Sequence, residues 1–195
     1  MSSPGLRERK KQKTRWAIQE HALRLFAEQG YEATTVDQIA AAAEISPSTF
    51  FRYFKTKDDL VVEDEYDAMM TAGLRVMPAD LSPLEAIREM VKTTFAQMTK
   101  ADLAKLLERS KLVMSVPSLR ARTFENFLAT IDLIRVGVAE RTGRDPDEVD
   151  VRAFAGAVVG ALAAVSAVWI SSDGEQDLGD LADQALALLE RGLPL

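Results

Sequence analysis

Three aliphatic hydroxyls, an arginine and three aromatic rings fall within eight consecutive residues: Ser46, Ser48, Thr49, Arg52, Phe50, Phe51 and Tyr53. These are groups that read base edges. Arginine pairs bidentately with guanine, hydroxyls donate or accept, and aromatic or methyl groups meet the thymine methyl. Other chemistry lacks its parts. The chain has no Cys, which excludes a disulfide scaffold, a thiolate zinc site and a cysteine nucleophile. With one His it cannot build a multi-histidine metal site, and a Ser-His-Asp arrangement would rest on His21 alone. His21 lies beside the apolar face of the first helix and reads as structural. Glu63, Asp64 and Glu65 read as a solvated helix face, and there is no HExxH or phosphate-binding glycine loop. The expectation is therefore no catalytic residue, no metal and no cofactor.

The reading residues need a scaffold, and 34–60 (TTVDQIAAAAEISPSTFFRYFKTKDDL) supplies one. It encodes a helix, a tight turn at 43–46 and a second short helix beginning at Ser46 and Pro47, an N-cap followed by a first-turn proline. Ile39, Ala40, Ala43, Ile45, Phe50 and Phe54 are spaced to share one small core. A turn this short makes a helix-turn-helix. Its second helix enters the major groove with its early residues toward the bases. Pro47, Ser48, Thr49, Phe51, Arg52 and Tyr53 lie on its outward face. Thr34 and Thr35, at a helix start, are candidate phosphate contacts. So are Lys57 at the next helix start and Arg15 with the basic segment before it.

The rest of the chain, too, reads as helix. Ala, Leu, Glu, Arg, Lys and Met dominate, and no segment alternates with period two. Nine helices are expected at about 8–29, 36–43, 47–53, 57–76, 83–98, 100–114, 117–142, 147–170 and 176–191. Capping boxes open three of them, at Thr35–Gln38, Ser82–Glu85 and Asp145–Glu148. Gly30, Gly143, Gly174 and Gly192 fall where helices should stop. The fold class is all-α, an amino-terminal three-helix unit followed by a helical bundle.

The net charge of −6 conceals an asymmetry. Residues 1–60 carry 10 Lys/Arg against 8 Asp/Glu, and residues 61–195 carry 14 against 22. Six of the basic groups lie in residues 1–15, with Glu8 the one acid there. A basic end on an acidic body suggests a nucleic-acid partner for that end. The first residues are polar and do not resemble a secretory signal. Residues 153–172 carry no charge, about the length that spans a bilayer, but seven are Ala and three are Ser. They read as a helix buried on most sides by other helices, with no membrane role.

Over about 14–60 the sequence resembles the TetR family of transcriptional regulators. The resemblance is carried by Thr14-Arg15, Ile18, Ala22, Leu25-Phe26, Gly30-Tyr31, Thr34-Thr35, Ile39-Ala40, Ser46, Phe51-Arg52-Tyr53-Phe54, Lys57 and Leu60. Three positions depart from the family pattern. Glu44 stands where the turn usually has Gly. Phe51 replaces the usual Tyr and its phosphate-binding hydroxyl, and Tyr53 stands where His is frequent. The resemblance implies a helix-turn-helix domain at 14–60, after a flexible basic tail at 1–13, and a dimerisation and effector-binding domain at 61–195. The function it implies is a cytoplasmic homodimeric repressor on double-stranded DNA with a palindromic operator, released by a small apolar or amphipathic effector. The alternative is an all-helical scaffold or enzyme with no DNA role.

For the dimer, Gly156, Gly160 and Ala164 put small residues on one helical stripe, joined by Leu181, Ala185 and Leu188 of the last helix. For the effector, Phe95, Met98, Met114, Phe124, Phe127, Ile131 and Trp169 are candidate cavity residues. Arg109, Asn126, Thr130 and Ser166 are polar groups available to orient a ligand. The helix at 57–76 joins the two domains and is the expected lever.

Overall fold

A computed structural model describes residues 6–62, 73–74 and 76–194. Among them are nine helices and no strand: α1 (Leu6–Gln29), α2 (Val36–Ala42), α3 (Pro47–Tyr53), α4 (Asp59–Val62), α5 (Pro83–Ala96), α6 (Lys100–Ser115), α7 (Pro117–Thr142), α8 (Val149–Ser171) and α9 (Leu178–Glu190). One expectation shifts at the amino end. Residues 6–13, expected as flexible tail, are helical; Leu, Arg, Glu, Lys and Gln are all strong helix formers. Most of the expected helix 57–76, including the proposed lever and Glu63, Asp64 and Glu65, lies outside the described residues.

The local signals act as their chemistry requires. Thr35 Oγ1 accepts from the Gln38 amide while Gln38 Oε1 accepts from the Thr35 amide, a closed capping box on α2. Ser82 and Glu85 do the same on α5. At the third site the box forms one turn too early. Asp145 takes the Asp147 amide, Glu148 reaches back to the Asp145 amide, and α8 begins only at Val149. A fourth box lies at α4: Asp59 Oδ2 accepts from the Thr56 amide and Thr56 Oγ1 from that of Asp59. Gly30 closes α1 with a left-handed φ of 87°, which glycine adopts without strain.

The chain divides into two compact units. The first comprises the residues up to 63 together with 113–122. Its core is Ile18, Ala22, Phe26, Ile39, Phe50, Phe54, Leu60 and Val61, all buried. The extra segment holds Leu119, fully buried, and sends Arg122 to the buried carboxylate of Asp59 at 3.4 Å. The first unit thus recruits ten residues from far along the chain, beyond the 14–60 expected.

The second unit packs α5, much of α7, α8 and α9. Its core includes Ile87, Met90, Val91, Ile134, Val138, Val151, Ala155, Val158, Ala182 and Leu186. Arg88 of α5 binds Asp183 and Glu190 of α9, and Arg141 binds the carbonyls of Met77, Pro78 and Leu81. The expectation that α8 is buried on most sides is corrected: only 22% of its most apolar window is buried. It is the described helix long and apolar enough to cross a membrane. One face enters the core, whereas Ala153, Ala157, Gly160, Ala164, Ala167 and Val168 form an exposed stripe of mostly small residues.

Because Leu119 fills the first unit's core, Leu119→Ala should cost about 2–4 kcal/mol of that unit's stability. Hydrogen exchange would read this as lost protection at the α1 and α4 amides. Protection unchanged there would remove 113–122 from the unit.

Candidate nucleic-acid interface and effector cavity

A seven-residue helix is marginal alone, so α3 takes its place from its buried side. Phe50 and Phe54 are buried, with ring centroids 5.9 Å apart. Arg15 lies 4.4 Å from the centroid of Phe54 and donates to the Tyr53 carbonyl at the end of α3. The opposite face is open. Ser46, Pro47, Ser48, Phe51 and Arg52 are exposed, and Thr49 and Tyr53 are half-buried. Phe51 is 53% exposed, although burial is the ordinary fate of a phenylalanine. Arg52 stands 5.4 Å from the Tyr53 ring centroid. At the amino end, Ser46 Oγ accepts from the Thr49 amide, donates to the Thr49 hydroxyl and lies 3.0 Å from the Ser48 hydroxyl. The result is a cluster of hydroxyls at a helix start, with an arginine and a phenylalanine beside it. These groups can bond bases or phosphates and can cover a thymine methyl.

The expected phosphate contacts separate into two kinds. Thr35 is exposed at the start of α2, where amide groups point outward. Thr34 is corrected: it is 1% exposed, donates to the Gly30 carbonyl at 2.8 Å and accepts from Gln29, so its hydroxyl serves the α1–α2 turn. Lys57 donates to the carbonyls of Tyr31 at 2.8 Å and Thr34 at 3.1 Å, and lies 4.1 Å from the Tyr31 ring centroid. It holds the same turn from the other side, as Arg15 holds the end of α3. Tyr31 donates to Asp58 beside it. Burial first, then Asp58, pushes its phenol well above the ordinary tyrosine range, so it stays a donor. Sequence spacing could not separate these struts from DNA contacts, because a cation at a helix start suits both roles.

The turn carries a strained residue. Glu44 has φ 54°, a left-handed conformation that costs a side chain about 1–2 kcal/mol. The amides of Glu44 and Ile45 bond the carbonyls of Ala41 and Ala40, which keeps the turn in place.

The second unit contains a cavity of about 190 Å³. Of the expected residues, Phe95, Met98 and Trp169 line it, with Ser166 among the expected polar groups. Met114, Phe124 and Phe127 are corrected: they are exposed at 52%, 62% and 39% and do not line it. Ile131 packs instead against the core cluster. Phe124 and Phe127 are regularly spaced on α7, but that face points to solvent, as does Met114 on α6. The walls that sequence reading missed are Val91 and Thr94 on α5, Leu106 and Ser110 on α6, Leu162 and Val165 on α8, and Leu178 and Ala182 on α9. Leu162, Val165, Ser166 and Trp169 share a helical spacing that was readable; the pairing of four separate helices was not. On the exposed side of α8, Gly160 has no atom within 4 Å of where a Cβ would stand. Gly156 is half-buried and equally open, while Leu181, Ala185 and Leu188 of α9 are half-buried.

Residues 18–63 match the family described as bacterial regulatory proteins, tetR family, and residues 81–194 match the MftR C-terminal domain. The HTH-type transcriptional regulator TcmR of Streptomyces glaucescens is 35% identical over 150 residues, 70% of this chain and 66% of that protein, just under two thirds of its length. The transcriptional regulator FadR from Bacillus subtilis, solved in complex with stearoyl-CoA, is 21% identical with a TM-score of 0.60, covering 92% of this chain and 99% of that one. A SmeT–triclosan complex is 17% identical with a TM-score of 0.61, covering 92% and 91%.

Two substitutions test the architecture of the interface. Glu44→Gly should raise stability by about 1 kcal/mol by relieving the left-handed strain, seen as a higher Tm. An unchanged or lower Tm would mean that the turn holds no such strain. Lys57→Ala should cost about 1–2 kcal/mol in thermal unfolding, because it strips two carbonyls of a charged donor. Full stability with weakened DNA binding would make Lys57 a phosphate contact and not a strut.

Proposed function

The chain belongs to the tetR family of bacterial regulatory proteins and is a helix-turn-helix transcription regulator, and from that premise we propose that it is a homodimeric repressor released from a palindromic operator by a small apolar or amphipathic effector. The observation that carries the DNA side is the open face of α3. Its back is fully buried while Ser48, Phe51 and Arg52 stand in solvent. In this reading Ser46, Pro47, Ser48, Thr49, Phe51, Arg52 and Tyr53 meet the major groove. Thr35 and the amides at the start of α2 meet phosphate. Lys57 and Arg15 hold the helices that do so.

The small-residue stripe of α8 supports a dimer. Ala153, Ala157, Gly160, Ala164 and Ala167 recur at spacings of four and three, which keeps them on one side of a helix. Without bulky side chains two such helices approach closely, and a second copy of the chain removes this apolar face from water. A two-fold pair places its reading helices about 34–36 Å apart, one turn of the duplex.

Effector binding and DNA binding then share a coupling free energy of about 1–3 kcal/mol. The route we assign runs along α6 and α7. Leu106 and Ser110 of α6 line the cavity, and the segment 113–122 that follows belongs to the first unit. The chain shares its fold with a transcriptional regulator solved with stearoyl-CoA and with SmeT solved with triclosan, which fits a small-molecule effector here.

Selection of bound duplexes from random sequence tests the proposal. The expected product is an inverted repeat with half-sites one helical turn apart. Gly160→Arg should give a monomer by sedimentation and lower operator affinity by about 100-fold or more, since the two half-sites then bind separately. A single unrepeated site, or an intact dimer in that variant, would contradict it.

A further inference from the structure

The cavity walls in the second unit carry an unusual polar signature. None of the lining residues is charged, and the polar side chains are the hydroxyls of Thr94, Ser110 and Ser166 with the indole of Trp169. Two of the hydroxyls have already spent their protons. Thr94 donates to the Met90 carbonyl at 2.9 Å, and Ser166 donates to the Leu162 carbonyl at 2.8 Å, each one turn back along its own helix. With the proton so placed, each oxygen keeps lone pairs that accept a further bond. The Ser110 hydroxyl makes no hydrogen bond among the described residues, so it can donate.

We infer that the cavity selects an uncharged, mainly apolar molecule bearing a hydroxyl group. The ligand's hydroxyl donates to Thr94 or Ser166, and its oxygen accepts from Ser110. A carboxylate, phosphate or ammonium seated against these walls would lose hydration with no opposite charge beside it. An ether or a plain hydrocarbon would leave the acceptors unfilled. Size points the same way: an apolar cavity of about 150 Å³ is known to admit benzene, so about 190 Å³ suits a compact ring system or a chain of similar bulk. The inference rests on reading this cavity as the effector site, and it narrows the apolar or amphipathic class to neutral alcohols and phenols.

Three probes of nearly equal bulk separate the possibilities: 1-octanol, its isomer heptyl methyl ether, and octanoate. Each is titrated into the whole 195-residue chain by calorimetry. Binding is located in parallel by Trp169 fluorescence in a Trp16→Phe background, where Trp169 is the one tryptophan left. The alcohol should bind about tenfold tighter than the ether and tighter still than octanoate. In Thr94→Val with Ser166→Ala, both near in size to the originals, the alcohol's advantage should fall below about twofold while the ether's affinity holds. Each single variant serves as a check should the pair fold poorly. Equal affinity for alcohol and ether, or tighter binding of octanoate, would overturn the hydroxyl inference and leave the effector site standing. Binding that never alters Trp169 fluorescence would overturn the site itself, and the inference with it.

Discussion

A two-turn helix cannot hold itself together in water, and the proposed DNA-reading surface depends on that limit being overcome from behind. Phe50 and Phe54 anchor α3 in the first unit's core, and Arg15 caps its end while lying against Phe54. Lys57 and Thr34 hold the preceding turn with bonds to carbonyls. The consequence is a division of labour among polar groups. Those that bond inward fix the angle of α3, and those left outward are the ones we propose to read bases. Arg52 and Phe51 are outward because Phe50 and Phe54 are inward, a matter of helical register alone.

The second unit solves a different problem with the same economy. α8 carries a nearly charge-free surface on all sides, but one chain covers only part of it. The inner residues build the core and one cavity wall, and the outer stripe of small residues is the face we propose for a second copy of the chain. The acidic balance of residues 61–195 repels phosphate, which in the proposed reading limits non-specific contact with DNA.

What could be read in the sequence was local. The capping boxes at Thr35 and Ser82, the glycine stop after α1, the helix-turn-helix register and the outward face of α3 each depend on residues within about one turn of each other. What could not be read was carried by distant pairs. Arg122 reaches Asp59 across 63 positions, and Leu119 fills a core whose other members lie before residue 63. The cavity draws on four helices, so Phe95, Met98 and Trp169 were identifiable by type, whereas Leu106 and Ala182 were ordinary core residues until the fold brought them together. Met114, Phe124 and Phe127 show the converse, apolar residues at helical spacing that end in solvent. Thr34 fails for a subtler reason. It sits beside Thr35 in a motif that invites a phosphate, yet its hydroxyl turns to Gly30.

The central claim is that α3 reads bases with Arg52 while the groups behind it only position it. It is tested most directly by measuring Arg52→Ala on two duplexes, the selected operator and a scrambled sequence of equal length, over a range of salt. The account predicts a loss of about 1–3 kcal/mol on the operator and little on the scrambled duplex, with the salt slope nearly unchanged. An equal loss on both, with the slope reduced by about one unit, would make Arg52 a phosphate contact and contradict the claim.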